Sequence, residues 1–150
     1  LLLCGPVKEV HGMVHTSSFH QLEAEDFSGA LLNFESGARG TLMASTTHFP
    51  GHKEEIILNC SEATVNISGA DLKVFYHNGK IESLETDSQT GSGSDPMDFS
   101  YTWHANVIEQ FWTQFTKNQQ IEISAESALP VQQLIDAIVR SSKLEKKVTV

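Results

Sequence analysis

The sequence predicts an α+β fold, built on an open, mostly antiparallel sheet of about six strands with helices packed on one face. Strand-like segments follow one another from residue 7 to residue 84 without a helical pattern between them, which favours antiparallel pairing. Two segments with helical spacing complete the chain beyond residue 100. We therefore expect a single domain over residues 1–150, which is long enough for one hydrophobic core.

The central element is a predicted β-hairpin over residues 24–47. Two apolar runs flank a polar turn, in which Gly37 can take the positive φ that the turn requires. Side chains alternate across a strand, so one face carries Asp26, Ser28, Ala30, Leu32, Phe34, Gly40, Leu42 and Ala44, and the other carries Phe27, Gly29, Leu31, Asn33, Thr41, Met43 and Ser45. Neither face is charged along its middle, so we expect both faces to be covered.

Shorter strand patterns lie on either side of this hairpin. They are Val7–Val14, Glu54–Cys60, Ala63–Ser68, Asp71–Tyr76 and Ile81–Leu84, with a short edge strand at Val148–Val150. Asn78-Gly79 between two of them is a typical hairpin turn. Pro50-Gly51 predicts a turn after the long hairpin.

Two helices are predicted at the end of the chain. The first begins near Trp103, and its apolar stripe consists of Val107, Ile108, Phe111, Trp112 and Phe115. The second has Ser124 as its N-cap, Glu126 in its first turn and a stripe of Val131, Leu134, Ile135, Ile138 and Val139. Pro130 either kinks this second helix or marks its start.

These helices are too few to cover both faces of the predicted sheet. Two helices cover about one face, so the other requires a second copy of the chain or another domain of a parent protein. We therefore expect a homodimer or higher homo-oligomer that forms through the open sheet face.

Composition excludes several classes of protein. A formal net charge of −9 and a pI near 5.1 argue against a nucleic-acid binder. No apolar run is long enough for a membrane span, and we expect a cytoplasmic protein. Cys4 and Cys60 are expected to be small buried side chains in a reducing compartment. Leu1-Leu2-Leu3 resembles the end of a helix, which suggests a piece of a larger protein.

Four groups of residues occur in a distinctive order. They are Gly5-Pro6-Val7-Lys8-Glu9-Val10; Glu25-Asp26 with Leu32, Phe34, Gly37, Ala38, Gly40, Leu42 and Ser45; His104 with Ile108; and Ala137-Ile138-Val139-Arg140-Ser141-Ser142-Lys143. In this order and spacing the chain resembles the C-terminal domain of the Gfo/Idh/MocA oxidoreductases. The resemblance spans almost the whole chain and departs at Cys60 and Ala63, where such proteins usually have glycines.

The resemblance implies the substrate-binding and oligomerisation domain of an NAD(P)-dependent oxidoreductase that acts on a sugar, polyol or derivative. NAD or NADP would be bound mainly by a Rossmann domain outside this sequence, which would also carry the catalytic residues. No catalytic, cofactor-binding or metal-binding residue is therefore expected here, and the domain alone is expected not to be catalytic. A stand-alone protein-interaction or carbohydrate-binding module is the alternative.

The resemblance also places the candidate substrate-binding residues ahead of the first helix. Trp103 could stack on a sugar ring, while Tyr101 and His104 could hydrogen-bond to hydroxyl groups. In the alternative interpretation, Trp103 packs in the core and His104 only caps or supports the helix. The polar Gly- and Ser-rich segment 85–100, just before these residues, is expected to be a mobile or functional loop.

We expect the other polar motifs to support the fold and not to carry out chemistry. Glu25 and Asp26 are adjacent in a strand and point to opposite faces, so they do not form an acid/base pair, and we expect Asp26 to bind the backbone of a neighbouring loop. His48 and His52 are separated by a turn, which disfavours a metal site. Ser45 has no carboxylate and histidine placed to activate it as a nucleophile.

Overall fold

The computed structural model describes residues 1–19, 21–49, 51–86 and 101–150. Its elements are β1 (Val7–His15), β2 (Phe27–Phe34), β3 (Arg39–Ser45), β4 (Glu55–Asn59), β5 (Ala63–Ser68), β6 (Asp71–Tyr76), β7 (Ile81–Leu84), α1 (Thr102–Thr116), α2 (Ala125–Leu144) and β8 (Val148–Thr149). Every described strand pair is antiparallel, so the predicted α+β class is confirmed. The strands form two four-stranded sheets where the sequence predicted one sheet of about six.

The described chain divides into two compact units, which are treated separately below. Unit 1 comprises Leu1–His48 and Val107–Val150, and unit 2 comprises Phe49–Asn106. The break between the sheets falls in the connection between β3 and β4, where the sequence predicts a turn. The expectation of one domain over residues 1–150 stays a prediction.

The sheet of unit 1 has the strand order β3-β2-β1-β8. The predicted hairpin forms β2 and β3, and Gly37 takes a φ of 88° in the turn between them. In the register of these strands, Ala30 lies opposite Gly12 on β1 and opposite Leu42 on β3. The predicted edge strand is confirmed as β8, which pairs with β1 at Glu9 and Val10.

Helix α2 covers one face of this sheet. It begins after Ser124, whose side chain accepts a hydrogen bond from the backbone of Ser127 in a capping box, as the predicted N-cap requires. The helix passes through Pro130, so this proline does not mark its start. The core between helix and sheet consists of Val7, Val10, Ala30, Leu32, Leu134, Ala137 and Ile138. Of the predicted apolar stripe of α2, Leu134 and Ile138 lie in this core, whereas Val131 and Ile135 are each 46% exposed.

Helix α2 approaches the sheet closely at Gly12. A Cβ atom on this glycine would lie 2.6 Å from the main-chain oxygen of Ile138. The Gly12 amide donates a hydrogen bond to Ser141 Oγ at 2.9 Å, and that hydroxyl donates to the Lys146 carbonyl at 2.6 Å. Two residues along β1, the Val14 amide donates to Ser142 Oγ at 3.0 Å. Serines at the end of α2 thus accept hydrogen bonds from the amides of Gly12 and Val14, which lie beyond the part of β1 that pairs with β8.

The sheet of unit 2 has the strand order β4-β5-β6-β7. The Asn-Gly turn between β6 and β7 forms as predicted, with Gly79 at a φ of 88° and the Lys80 amide donating to Asn78 Oδ1. Register places one apolar set on a common face, namely Ile56, Leu58, Val65, Ile67, Leu72 and Val74. Cys60 follows β4 and is exposed, so the expectation that this cysteine is buried was wrong.

Helix α1 begins close to its predicted start near Trp103. None of its residues is buried within the described structure, and the predicted stripe is exposed along its length. Phe111 stacks on Phe115 with ring centroids 6.0 Å apart, and Trp112 packs against Phe115 at 6.4 Å. The aromatic side chains of this helix are therefore left uncovered by the described residues.

Candidate functional site

The three candidate substrate-binding residues lie at the start of α1. The Tyr101 carbonyl accepts the amide hydrogen bond of Ala105 at 2.9 Å, which fixes the first turn of the helix. Tyr101 is 82% exposed and Trp103 is 54% exposed, and His104 is also exposed. The three residues lie within four positions at the start of α1, where Tyr101 and His104 have the three-residue spacing of one helix face, while Trp103 does not face Tyr101. Trp103 does not lie in a core formed by the described residues, and its role in substrate binding stays a prediction.

Helical spacing places His104 within the aromatic face of α1. Trp103, Val107 and Phe111 follow one another at intervals of four residues, and His104 and Ile108 continue the same face. An imidazole surrounded by aromatic and aliphatic groups can donate or accept a hydrogen bond beside an apolar surface. This combination suits a ligand with a ring face and hydroxyl groups.

A second candidate surface is the face of the unit 1 sheet opposite α2, which we call the open face. Its centre is a shallow depression lined by His11, Gly12, Met13, Phe27, Gly29, Ala30, Leu31, Thr41, Leu42 and Met43. Met13, Leu31 and Met43 are 59%, 61% and 74% exposed, respectively. The middle of the hairpin is uncharged on this face, as the sequence predicted.

Charged groups on the open face lie toward one end. Glu9 accepts hydrogen bonds from Lys147 Nζ at 2.9 Å and from Asn33 Nδ2 at 3.4 Å. The hydrogen bond from Lys147 lowers the pKa of Glu9 below its ordinary value. Arg39 lies opposite Asn33 on the next strand. These groups are one carboxylate and two basic side chains, so this face lacks the acidic excess of the chain as a whole, which carries a net charge of −9.

Asp26 has the structural role that the sequence predicted. Its side chain is buried, with only 3% of the residue exposed, and its Oδ1 accepts a hydrogen bond from the Ser17 amide at 2.8 Å. The Ser17 hydroxyl donates to Oδ2 of the same carboxylate. Ser45 Oγ donates to the Asp26 carbonyl at 3.1 Å, so this hydroxyl also serves the fold. The cluster ties the loop after β1 to the hairpin.

Among residues 1–19, 21–49, 51–86 and 101–150, no group of three or more His, Cys, Asp or Glu side chains is placed to hold a metal ion. None of the helices in these ranges has the length and hydropathy needed to cross a membrane. Most of the predicted loop at 85–100 lies outside the described residues.

Sequence reasoning missed two features of the open face and its support. The first is the packing at Gly29, which lies between Met13 and Met43 in the sheet register and has the Phe27 ring 3.5 Å from the position that a Cβ would take. A glycine amid apolar strand residues was the available signal. The second is the attachment of Ser141 and Ser142 to β1. The motif containing these serines was visible in the sequence, but their hydrogen-bond partners were not.

Known structures share this fold over nearly the whole chain. An oxidoreductase from Agrobacterium radiobacter, in complex with NAD+, L-tartaric acid and magnesium, matches 99% of this chain with a TM-score of 0.77 and 20% identity. The WlbA dehydrogenase from Bordetella pertussis, in complex with NADH and UDP-GlcNAcA, matches 99% with a TM-score of 0.71 and 19% identity. A levoglucosan dehydrogenase with NADH and levoglucosan matches 97% with a TM-score of 0.75 and 17% identity.

The fold is therefore that of a domain found in NAD-binding oxidoreductases. Residues 1–66 match the model of the GFO/IDH/MocA C-terminal domain. Together these findings confirm the predicted resemblance to the C-terminal domain of the Gfo/Idh/MocA oxidoreductases. The chain spans 44%, 40% and 45% of the three solved chains, which is less than half of each. No curated protein sequence matches it.

Proposed function

We propose that this chain is the substrate-binding and oligomerisation domain of a cytoplasmic NAD(P)-dependent oxidoreductase that acts on a sugar, a polyol or a derivative of one. The observation that carries the proposal is the fold shared over 97–99% of the chain with oxidoreductases solved with NAD+ or NADH and with small hydroxylated or sugar-derived ligands. Cys4 and Cys60, which form no disulfide, are compatible with a reducing compartment.

The chain's own residues do not fit a dinucleotide site. Pyrophosphate binding in oxidoreductases of this kind uses a Gly-x-Gly-x-x-Gly turn between a strand and a helix. The sequence contains no such motif, and its Gly91-Ser92-Gly93 run lacks the third glycine at the required spacing. NAD or NADP would therefore be held mainly by another domain of the parent protein, and this chain alone would not transfer hydride.

The proposed substrate contacts come from the start of α1. Trp103 would stack on the apolar face of a sugar or polyol, and this exposed indole has the area for such a contact. Tyr101 and His104 would hydrogen-bond to ligand hydroxyls from the same helical turn. These contacts would bind and orient the substrate, while the reacting groups would belong to another domain of the parent protein.

Oligomerisation would use the open face of the unit 1 sheet. This face is apolar at its centre, nearly balanced in charge and left uncovered by α2, which packs on the other side. Two copies that each carry a net charge of −9 repel each other. A surface without an acidic excess is therefore the place where two such copies can meet. We therefore propose a homodimer or a higher homo-oligomer.

Tryptophan fluorescence tests the substrate site, because both tryptophans of the chain lie on α1. The variant Trp112→Phe retains Trp103 as its only indole, and Trp103→Phe retains Trp112 as a matched control that is similarly exposed. Titration with a panel of sugars, polyols and sugar acids should change the emission of the first variant saturably and leave the second unchanged. His104→Ala should weaken binding about fivefold to tenfold, which corresponds to the loss of one hydrogen bond. A response confined to Trp112, or no response from either indole, would contradict the proposed site.

A stand-alone interaction or carbohydrate-binding module is the second candidate function. The exposed aromatic face of α1 favours it, because aromatic side chains in such a surface bind sugars or partner proteins without any cofactor. The reading frame that precedes residue 1 separates the two candidates. A Rossmann domain encoded there supports the oxidoreductase, whereas a start codon or an unrelated domain supports the module.

A further inference from the structure

The turn between β6 and β7 contains the only Asn-Gly pair in the sequence, Asn78-Gly79. Both residues are exposed, and Gly79 takes a φ of 88°. A Cβ atom on Gly79 would meet no atom of the described residues within 4 Å, so the space around this peptide bond is open. Because glycine has no side chain to hinder the approach, its nitrogen can reach the side-chain amide of the asparagine before it. The turn is therefore a candidate for chemical self-modification.

A hydrogen bond holds the Asn78 side chain beside the peptide bond that would attack it. The Lys80 amide donates to Asn78 Oδ1 at 3.0 Å. This bond closes an Asx turn, in which the side-chain carbonyl folds back over the following peptide bond. The electrophilic carbon of Asn78 is thereby kept next to the Gly79 nitrogen, and such positioning speeds an intramolecular reaction.

We propose that Asn78 is a modification site at which the folded chain converts its own asparagine to aspartate and isoaspartate. The Gly79 nitrogen bonds to Asn78 Cγ, the Cγ–Nδ2 bond breaks, and the proton of the Gly79 amide leaves with Nδ2 as ammonia. Water then opens the resulting succinimide at either of its carbonyl groups. The net change is the gain of a water molecule and the loss of ammonia, which leaves a new carboxylate in the turn.

The Lys80 amide also favours the transition state of this reaction. Negative charge develops on Asn78 Oδ1 as the Gly79 nitrogen adds to Cγ, and this oxygen is the atom that accepts from Lys80. A fixed backbone donor placed at a developing oxyanion stabilises it without any rearrangement. The folded turn therefore supplies an element that an unfolded Asn-Gly pair lacks.

Another hydrogen bond of the turn opposes the reaction. The Gly79 amide donates to the Tyr76 carbonyl at 3.0 Å, and the nitrogen attacks only after it leaves this bond and loses its proton. The turn belongs to the hairpin at the edge of the unit 2 sheet, where all four residues of β7 are exposed. Exposed hairpins with few buried contacts open locally at low free energy. The reaction should therefore proceed in the native protein and accelerate as the pH rises.

The two products have different effects on the hairpin. Aspartate keeps a side-chain oxygen that can accept from the Lys80 amide. In isoaspartate the main chain runs through the side-chain carbon, so the turn becomes longer by a carbon atom. This displaces the Tyr76 amide from the Lys80 carbonyl, to which it donates at 2.9 Å. Formation of isoaspartate should therefore loosen β7 from the sheet.

Peptide mapping of the full chain after incubation at mildly alkaline pH tests the proposal. Asn118 is the internal control, because it is also exposed in a turn but is followed by Gln119. Loss of ammonia should be faster at Asn78 than at Asn118 by about tenfold or more. Asn78→Gln keeps the amide but requires a larger ring, so this variant should fold normally and release no ammonia at position 78.

Hydrogen exchange on the separated isoaspartyl form tests the effect on β7. Protection of the Tyr76 amide should fall about tenfold, which corresponds to the loss of one hydrogen bond. The Cys60 amide is the matched control, because it donates to the Ala63 carbonyl at 2.9 Å in another turn of the same sheet and should keep its protection.

Several results would overturn the inference. If the chain loses ammonia at Asn78 in urea but not when folded, the fold protects this residue and the proposed site is wrong. Equal rates at Asn78 and Asn118, or release of ammonia at position 78 of Asn78→Gln, would also exclude it. Unchanged protection of the Tyr76 amide in the isoaspartyl form would overturn the predicted loosening of β7.

Discussion

Replacing Ser141 by alanine should loosen the attachment of α2 to the edge of β1. Ser141 is fully buried, and its hydroxyl accepts from the Gly12 amide at 2.9 Å while donating to the Lys146 carbonyl at 2.6 Å. The substitution leaves a buried amide without its partner, which costs about 1–3 kcal/mol, and removes a second hydrogen bond worth about 1 kcal/mol. We expect Ser141→Ala to destabilise unit 1 by about 2–4 kcal/mol.

Hydrogen exchange is the appropriate assay for this variant, because it reports on individual amides even where two units unfold separately. A loss of 2 kcal/mol accelerates exchange about 30-fold, and this acceleration should appear at the Gly12 amide. Ser36→Ala is the matched control, because Ser36 also donates to a distant carbonyl, that of Cys4 at 2.8 Å, but is exposed. Unchanged protection at Gly12, or an equal effect from Ser36→Ala, would refute the reasoning.

Three further predictions concern the same unit. Gly12→Ala places a methyl carbon 2.6 Å from a main-chain oxygen of α2, and should cost about 3 kcal/mol in a thermal or urea unfolding experiment; a normal midpoint would contradict this close approach. Asp26→Ala should cost about 2 kcal/mol because it removes a buried charged acceptor, whereas Glu25→Ala, at the exposed neighbour, should be nearly neutral in the same experiment. Because the pKa of Glu9 is lowered by Lys147, its contribution to stability is present above the pH at which an unfolded glutamate titrates, and is lost as the pH falls through the lowered value. Carboxyl NMR titration should show the pKa of Glu9 rising in Lys147→Met, and an unmoved pKa would count against the interaction.

Local features of the fold could be predicted from the sequence because neighbouring residues determine them. The N-cap at Ser124 and the hairpin turns at Gly37 and Gly79 depend on residues within a few positions of each other. The uncharged centre of the open face was also predictable, because strand alternation assigns side chains to faces before any partner is known.

Contacts between distant segments could not be predicted in the same way. The hydrogen bond from Gly12 to Ser141 joins residues 129 positions apart, and no local pattern indicates it. The division into two sheets depends on which strands pair across the β3–β4 connection, and strand patterns alone do not encode that choice.

The surroundings of the candidate site could not be predicted from the sequence either. The helical spacing of Val107, Phe111 and Phe115 predicted an apolar stripe on α1, and the helix is confirmed. An amphipathic pattern shows that a helix has an apolar face but does not identify what covers it. Among the described residues this face remains exposed, which is why it now serves as a candidate ligand surface.

The serine hydroxyls at the end of α2 also protect the chain from misassembly. A strand whose amides are free can recruit a strand from another molecule, and such edge-to-edge growth is a common route to fibrils. Along β1, the amides of Gly12 and Val14 are already bound to Ser141 and Ser142, so a foreign strand would have to displace them. Mutations that remove these hydroxyls should therefore increase aggregation as well as local unfolding.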